Sequence, residues 1–401
     1  MEGQHMPNGF QQVAERISSW LSRATRPTAV SELFEIPVSI GATIGEVRKE
    51  NQDRAVVARY AGHGRSSPFV LLGVCDGIGG MVEGAICAEL ALATIIQSLV
   101  RSPEGRPTDV LASAVLAANE HIYGRYRERG GTTVVALLFM AGITGVSVGD
   151  SRIYVHNPPS GLKQISIDDS IAGELSRLNI EAGDTSELSS SITQFVGMGQ
   201  GIQPRTYDIE PIPMPTGHYL LTTDGAHGVA FETLQDVVAS APSDHAIVAR
   251  LIQISRWCGG KDNATVISAS PGVLSSKPTG AARSGLLEIW DSARKFEIFV
   301  EAMPRVTVSA GAPLEIEKLT VAEPPKRAFP RRQRSAAQTK SSAPTKKRSQ
   351  RKEEQRPPER APAAVQRPLN ISIVDSEASS EGSPSPEQQS APEKPPHATE
   401  G

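Results

Sequence analysis

Four aspartates share one local context. Asp76 follows VLLGVC, Asp150 lies in SVGDSRIYV, Asp224 ends YLLTTD, and Asp262 opens DNATVIS. Each stands at the end of a short apolar run of strand character, where rigid backbone can aim a carboxylate into a shared cleft. Glycine follows both Asp76 and Asp224, which permits a tight turn and close approach of a carbonyl or ligand. Four carboxylates gathered together would repel one another without a cation. A donor set made of oxygen alone, with no His or Cys, suits Mg²⁺ or Mn²⁺ rather than Zn²⁺. Any one strand-Asp-Gly step is an ordinary turn; the chemistry rests on the ordered set.

The elements that must position these residues are legible in outline. Apolar runs rich in Val, Ile, Leu and Thr recur at Phe69–Val74, Thr132–Phe139, Gly145–Val148, Arg152–Val155, Tyr219–Leu221 and Ala264–Ser268, bounded by Gly, Asp and Asn, which is a strand signature. Helical stretches are expected at Gly84–Leu99, Thr108–Arg127, Thr233–Ser240 and Ser243–Trp257. Clustered strands and long helices favour an α+β layered sandwich over a βαβ repeat. In FQQVAERISSWLSR, Phe10, Val13, Ile17, Trp20 and Leu21 recur at helical spacing and predict an amphipathic helix, with Thr25–Ser31 read as a linker. Residues 286–301, LLEIWDSARKFEIFVE, alternate about a polar centre and predict a hairpin.

The chain has 401 residues with 41 basic and 44 acidic side chains. Half of its 30 prolines fall in the last 100 residues, a stretch whose one aromatic is Phe329. Such a segment buries too little apolar surface to offset its ordering entropy. The folded body should therefore comprise about 240–270 residues, enough for a full core. The expected divisions are 1–33 (helix and linker), 34–272 (the main folded domain), 273–302 (appended hairpin) and 303–401 (disordered tail). Before residue 276 there are 20 basic and 28 acidic residues, and from there on 21 and 16, an acidic body with a basic tail. No window of 18 uninterrupted apolar residues predicts a spanning helix, and MEGQHMPNGF has no signal-peptide pattern. Three cysteines without a CxxC argue against a disulfide framework and for a reducing, cytoplasmic setting.

Taken together, GEVRKENQDR (45–54), VCDGIGGMVEG (74–84), GGTTVVALL (130–138), VGDSRIYV, ITQFVG (192–197), LLTTDGAHG (220–228) and KDNATVI (261–267) resemble the metal-dependent serine/threonine protein phosphatases of the protein phosphatase 2C type, over roughly Ser39–Ser268 and in a bacterial-like form. The resemblance implies a four-layer α-β-β-α sandwich with two central antiparallel sheets. It implies two Mg²⁺ or Mn²⁺ ions, with a weaker third, held by Asp76, the Gly77 carbonyl, Asp224 and Asp262, Asp150 serving the third ion. Arg48 takes the place of an arginine that grips substrate phosphate, and Asp53 that of a supporting carboxylate; Thr132 and Asn263 shape turns beside the metals. The reaction implied is attack on phosphoserine or phosphothreonine by a hydroxide bridging two ions.

Two positions depart from that pattern. Gln52 stands where a glutamate is common, which predicts weaker affinity for one ion, and Ile78 stands where animal members carry a histidine. A catalytically weak pseudophosphatase acting as a phosphoprotein-binding scaffold is the alternative. A cysteine-based phosphatase is excluded, since no Cys has Arg six residues on. An ATP-binding kinase or ATPase would use DGIGG as an adenine-binding turn but leaves Asp224 and Asp262 without a task. The segment Ile165–Ile192 corresponds to the family's mobile flap, opening with Asp168–Ser170. Expected partners are a phosphorylated protein substrate and a serine/threonine kinase of the same signal-transduction system. The basic tail (323–360) could tether to an acidic partner; it has no interleaved aromatics to favour nucleic acid. The island PLNISIVD (368–375) could add as a strand to a partner.

Overall fold

The computed structural model describes residues 8–23, 26–64, 66–102, 105–177, 191–276 and 284–300, all within one compact unit, Met1–Ala312. The tail from 303, its island at 368–375 and residues 178–190 of the flap segment lie outside the described residues. In chain order the elements are α1 (Asn8–Leu21), β1 (Thr28–Leu33), β2 (Val38–Thr43), β3 (Arg54–Tyr60), β4 (Phe69–Cys75), α2 (Gly84–Arg101), α3 (Pro107–Tyr126), β5 (Val134–Phe139), β6 (Ile143–Val148), β7 (Arg152–Asn157) and β8 (Gly161–Gln164). They continue with α4 (Ile171–Arg177), β9 (Arg205–Ile209), β10 (His218–Thr222), α5 (Asp224–His227), α6 (Phe231–Ser240), α7 (Asp244–Trp257), β11 (Ala264–Ala269), β12 (Leu286–Trp290) and β13 (Lys295–Phe299).

Two antiparallel sheets pack face to face. One has the order β1-β2-β11-β10-β7-β8, the other β13-β12-β3-β4-β5-β6-β9. Val57, Leu72, Leu137 and Phe139 from the second sheet meet Ile40, Tyr219, Leu221 and Ile267 from the first in the central core. The outer face of the second sheet is covered by α1, α2 and α3, and that of the first by α6 and α7. This is the α-β-β-α sandwich. Strands covered on both faces lose the polar alternation of half-exposed ones. FVLLGVC in β4 and VVALLF in β5 are accordingly buried at every position.

Helix α2 reaches a mean hydropathy of 1.4 over 18 residues, long and apolar enough to cross a membrane by length and composition, but 78% of it is buried in this protein. It is apolar because sheet and helices surround it. Val13, Ile17, Trp20 and Leu21 of α1 belong to the same core cluster.

One expectation is corrected. Residues 28–31, read as linker, are part of β1, which pairs with β2 from Thr28↔Thr43 to Leu33↔Val38. Thr28, Ser31 and Glu32 disguise it, since an edge strand needs few apolar positions. Strands β2, β3, β8 and β9 also escape the apolar-run criterion. The 286–301 segment forms an antiparallel hairpin whose first strand continues the second sheet beside β3.

Candidate metal-dependent active site

Strand direction explains why distant aspartates meet. β4 and β6 are both antiparallel to β5, so their carboxyl ends lie at the same edge, where Asp76 and Asp150 follow. β3 is antiparallel to β4, so Asp53, just before it, arrives at the same end. On the other sheet β10 and β11 are antiparallel; Asp224 follows the end of one and Asp262 precedes the start of the other. β2 pairs antiparallel with β11, and the loop after it brings Arg48 and Gln52. Arg48, Gln52, Asp76, Gly77, Asp150, Asp224 and Asp262 line one cleft of about 300 Å³. Asp53 lies beneath it, 3% exposed.

Backbone and side-chain hydrogen bonds hold the segments that carry these carboxylates. The Asp76 N–H donates to Thr133 Oγ1 at 3.0 Å, and its carbonyl accepts from Thr132 Oγ1 at 2.7 Å and from the Thr133 N–H at 2.8 Å. Asn263 ties the 44–52 loop down: its amide donates to the carbonyls of Ile44 and Glu50 at 3.0 Å, and its oxygen accepts from the Gln52 N–H at 2.8 Å. Thr223 Oγ1 donates to Asp53 Oδ2 at 2.8 Å. Gly149 reaches a φ of 97°, a conformation that favours glycine, and so turns the chain to present Asp150.

Asp169, Gln194 and Arg205 brace this end, and composition gave no sign of the latter two. The buried Asp169 accepts from the Gly149 N–H at 3.0 Å, Gln194 Nε2 at 3.1 Å and Arg205 Nε at 2.9 Å. Only the pairing of β6 with β9 brings Arg205 there.

The electrostatics are those of crowded acids. Burial, and then Asp53, Asp224, Asp150 and Asp262, hold the Asp76 carboxyl well above its ordinary range. Burial and Asp224 push Asp150 up to about 7, and burial raises Asp53 to about 7 against the Thr223 hydrogen bond. Asp224 is raised by burial and Asp262, partly offset by a hydrogen bond with Asp76. Asp224 Oδ1 and Asp53 Oδ1 are buried without a hydrogen-bond partner. Arg48 Nη2 donates to Asp262 Oδ2 at 2.5 Å.

These features fit a cation: orphaned carboxylate oxygens, acids whose mutual repulsion and burial raise their pKa values, and an all-oxygen donor set. The closed coordination shell itself is not assembled, because among the described residues no three acidic, histidine or cysteine side chains form a ready-made metal group. The thiols take no part, since burial pushes Cys75 well up and Cys87 to about 11.

The chain is similar to known proteins in sequence and in fold. Residues 41–198 match the family Protein phosphatase 2C, a span that takes in Arg48, Asp53, Asp76 and Asp150. The serine/threonine protein phosphatase PstP of Mycobacterium tuberculosis is 30% identical over 235 residues, 56% of this chain and 43% of that protein; the chain thus spans less than half the length of this relative. Two solved structures share the fold. Serine/threonine phosphatase Stp1 from Staphylococcus aureus superposes with a TM-score of 0.52 at 19% identity, covering 62% of this chain and 99% of that one. A bacterial serine phosphatase gives 0.52 at 20%, covering 59% and 97%.

Proposed function

We propose that the folded body is a bacterial-type protein phosphatase 2C domain and that this protein removes phosphate from phosphoserine and phosphothreonine in other proteins. The observation that carries this reading is the convergence of Asp76, Asp150, Asp224 and Asp262 with Arg48 on one cleft. Asp76, Asp224 and the Gly77 carbonyl would hold two divalent cations, with Asp262 joining them as Arg48 swings off it, and Asp150 on a third. Mg²⁺ or Mn²⁺ there supplies Lewis-acid charge and a lowered water pKa, so that hydroxide is available near neutral pH.

The chain's own residues do the rest. Arg48, with a side chain 41% exposed at the rim, exchanges its carboxylate partner for the phosphoryl oxygens, where a guanidinium fork fits bidentately. Asp53, held by the Thr223 hydroxyl, is the buried acid that supports the metal-holding carboxylates. Thr132 and Thr133 fix the backbone that presents Asp76. The substrate is the product of a protein kinase, so a serine/threonine kinase is the reaction partner that chemistry requires.

The test is hydrolysis of para-nitrophenyl phosphate and of a phosphothreonine peptide, with and without Mn²⁺. Wild-type protein should turn over only with metal. Asp76→Asn and Asp224→Asn should each lose more than about 100-fold, beyond the ~10–100-fold cost of a supporting residue. Undiminished turnover in both variants would sink the proposal. The scaffold alternative, for which the uncharged Gln52 speaks, requires phosphopeptide binding with no metal-dependent turnover in the wild type.

A further inference from the structure

The opposite end of the first sheet carries a second group of titratable side chains. His156 on β7 and His218 on β10 are direct cross-strand partners. Their rings stack with centroids 5.8 Å apart and planes 17° from parallel. They are 5% and 7% exposed and line a cavity of about 580 Å³ that shares no residue with the carboxylate cleft. His218 begins β10 and Asp224 follows its end, about 20 Å apart at ~3.3 Å per residue.

Asp244, in the first turn of α7, is 9% exposed. It accepts from His218 Nδ1 at 2.8 Å and from Ser268 Oγ at 2.6 Å, and it also bonds Ser270 Oγ. A carboxylate so occupied orients a histidine instead of ligating, which is the usual outer partner of a metal-bound imidazole. With Nδ1–H given to Asp244, Nε2 of His218 is the nitrogen left to coordinate. His156 Nδ1 is buried with no hydrogen-bond partner. Burial, and then His218, push the His156 pKa below its ordinary value, so this ring keeps a lone pair near neutral pH.

We infer that His156 and His218 form a two-imidazole site for a borderline transition-metal cation of the Zn²⁺ or Ni²⁺ class at the wall of this cavity, with Asp244 as the orienting carboxylate. Metal–nitrogen bonds of about 2 Å let one ion join two rings at this separation once their edges tilt together. Imidazole selects these ions, whereas the oxygen-only cleft selects Mg²⁺ or Mn²⁺. No larger metal-binding group exists among the described residues, so water completes the shell and the ion exchanges.

The test is calorimetric titration of the full chain with Zn²⁺ in saturating Mg²⁺, which occupies the cleft. The wild type should bind one equivalent that His156→Gln and His218→Gln each weaken at least 10-fold. Asp244→Asn should weaken it about 10-fold through orientation. NMR of the imidazole resonances in the wild type, which needs no variant to fold, should show His156 and His218 shifting together on the first equivalent. Unchanged Zn²⁺ binding in His156→Gln, or imidazole signals that do not respond to Zn²⁺, would overturn the site.

Discussion

Gly77 has no room for a methyl group. A Cβ there would sit 2.4 Å from the backbone carbon and oxygen of Gly84, which belong to the start of α2 and cannot rotate away as a side chain would. Gly77→Ala should destabilise the protein by about 1–3 kcal/mol, seen as a lower thermal midpoint, and should displace the turn beside Asp76. Arg48→Ala should lower kcat/KM on the order of 100-fold, with Arg48→Lys recovering part of it, because an ammonium cannot form the two-point fork. Gln52→Glu should tighten Mn²⁺ binding, read by calorimetry, because it adds a carboxylate to the cleft. The four aspartates were legible because a carboxylate at a strand end beside glycine is a local pattern. Arg205 was not: in GIQPRTYD nothing marks it, and its partner Asp169 lies 36 residues away.

At the scale of elements, ion pairs tie the site to its frame. Arg54, first in β3, pairs with Glu89 of α2 at 2.6 Å and donates to the carbonyls of Asn51 and Asp53 at 2.7 and 2.8 Å. The Glu89 side chain is 3% exposed and that of Arg54 11%. Glu89→Ala leaves a buried guanidinium unpaired and should cost about 3–5 kcal/mol in urea unfolding. Asp169→Ala should lower the thermal midpoint and weaken Mn²⁺ affinity about 10–100-fold, because the Gly149 turn and Arg205 lose their common acceptor. The long helices α1, α2, α3, α6 and α7 were readable to within about two residues, whereas the short α4 and α5 were not, because one or two turns carry too few residues to show a helical period. The edge strands β1, β8 and β9 were not, because half-exposed positions dilute the pattern that buried strands display.

For the molecule as a whole, the crowded acids make stability depend on pH and metal together. Asp150 and Asp53 have folded-state values of about 7, above an unfolded carboxylate near ~4. Without metal, their contribution to stability is fully present below the unfolded value and is lost as pH rises through about 7. The thermal midpoint in EDTA should therefore fall between pH 5 and 8, and added Mn²⁺ should raise it more at pH 8 than at pH 5. An Mn²⁺ effect of equal size at both pH values would contradict this account. The hairpin β12–β13 has its own bearing at this scale. It places Trp290 under Arg59 and Lys295 and stacks Phe296 on Trp20, and it makes β3 an interior strand. The outermost ribbon is then β13, whose Lys295 and Glu297 side chains are 30% and 53% exposed. Charges along a free strand edge resist the addition of another chain. Replacing both with valine should convert a well-behaved protein into one that self-associates into fibrils with rising concentration, the hazard against which this last strand is protected.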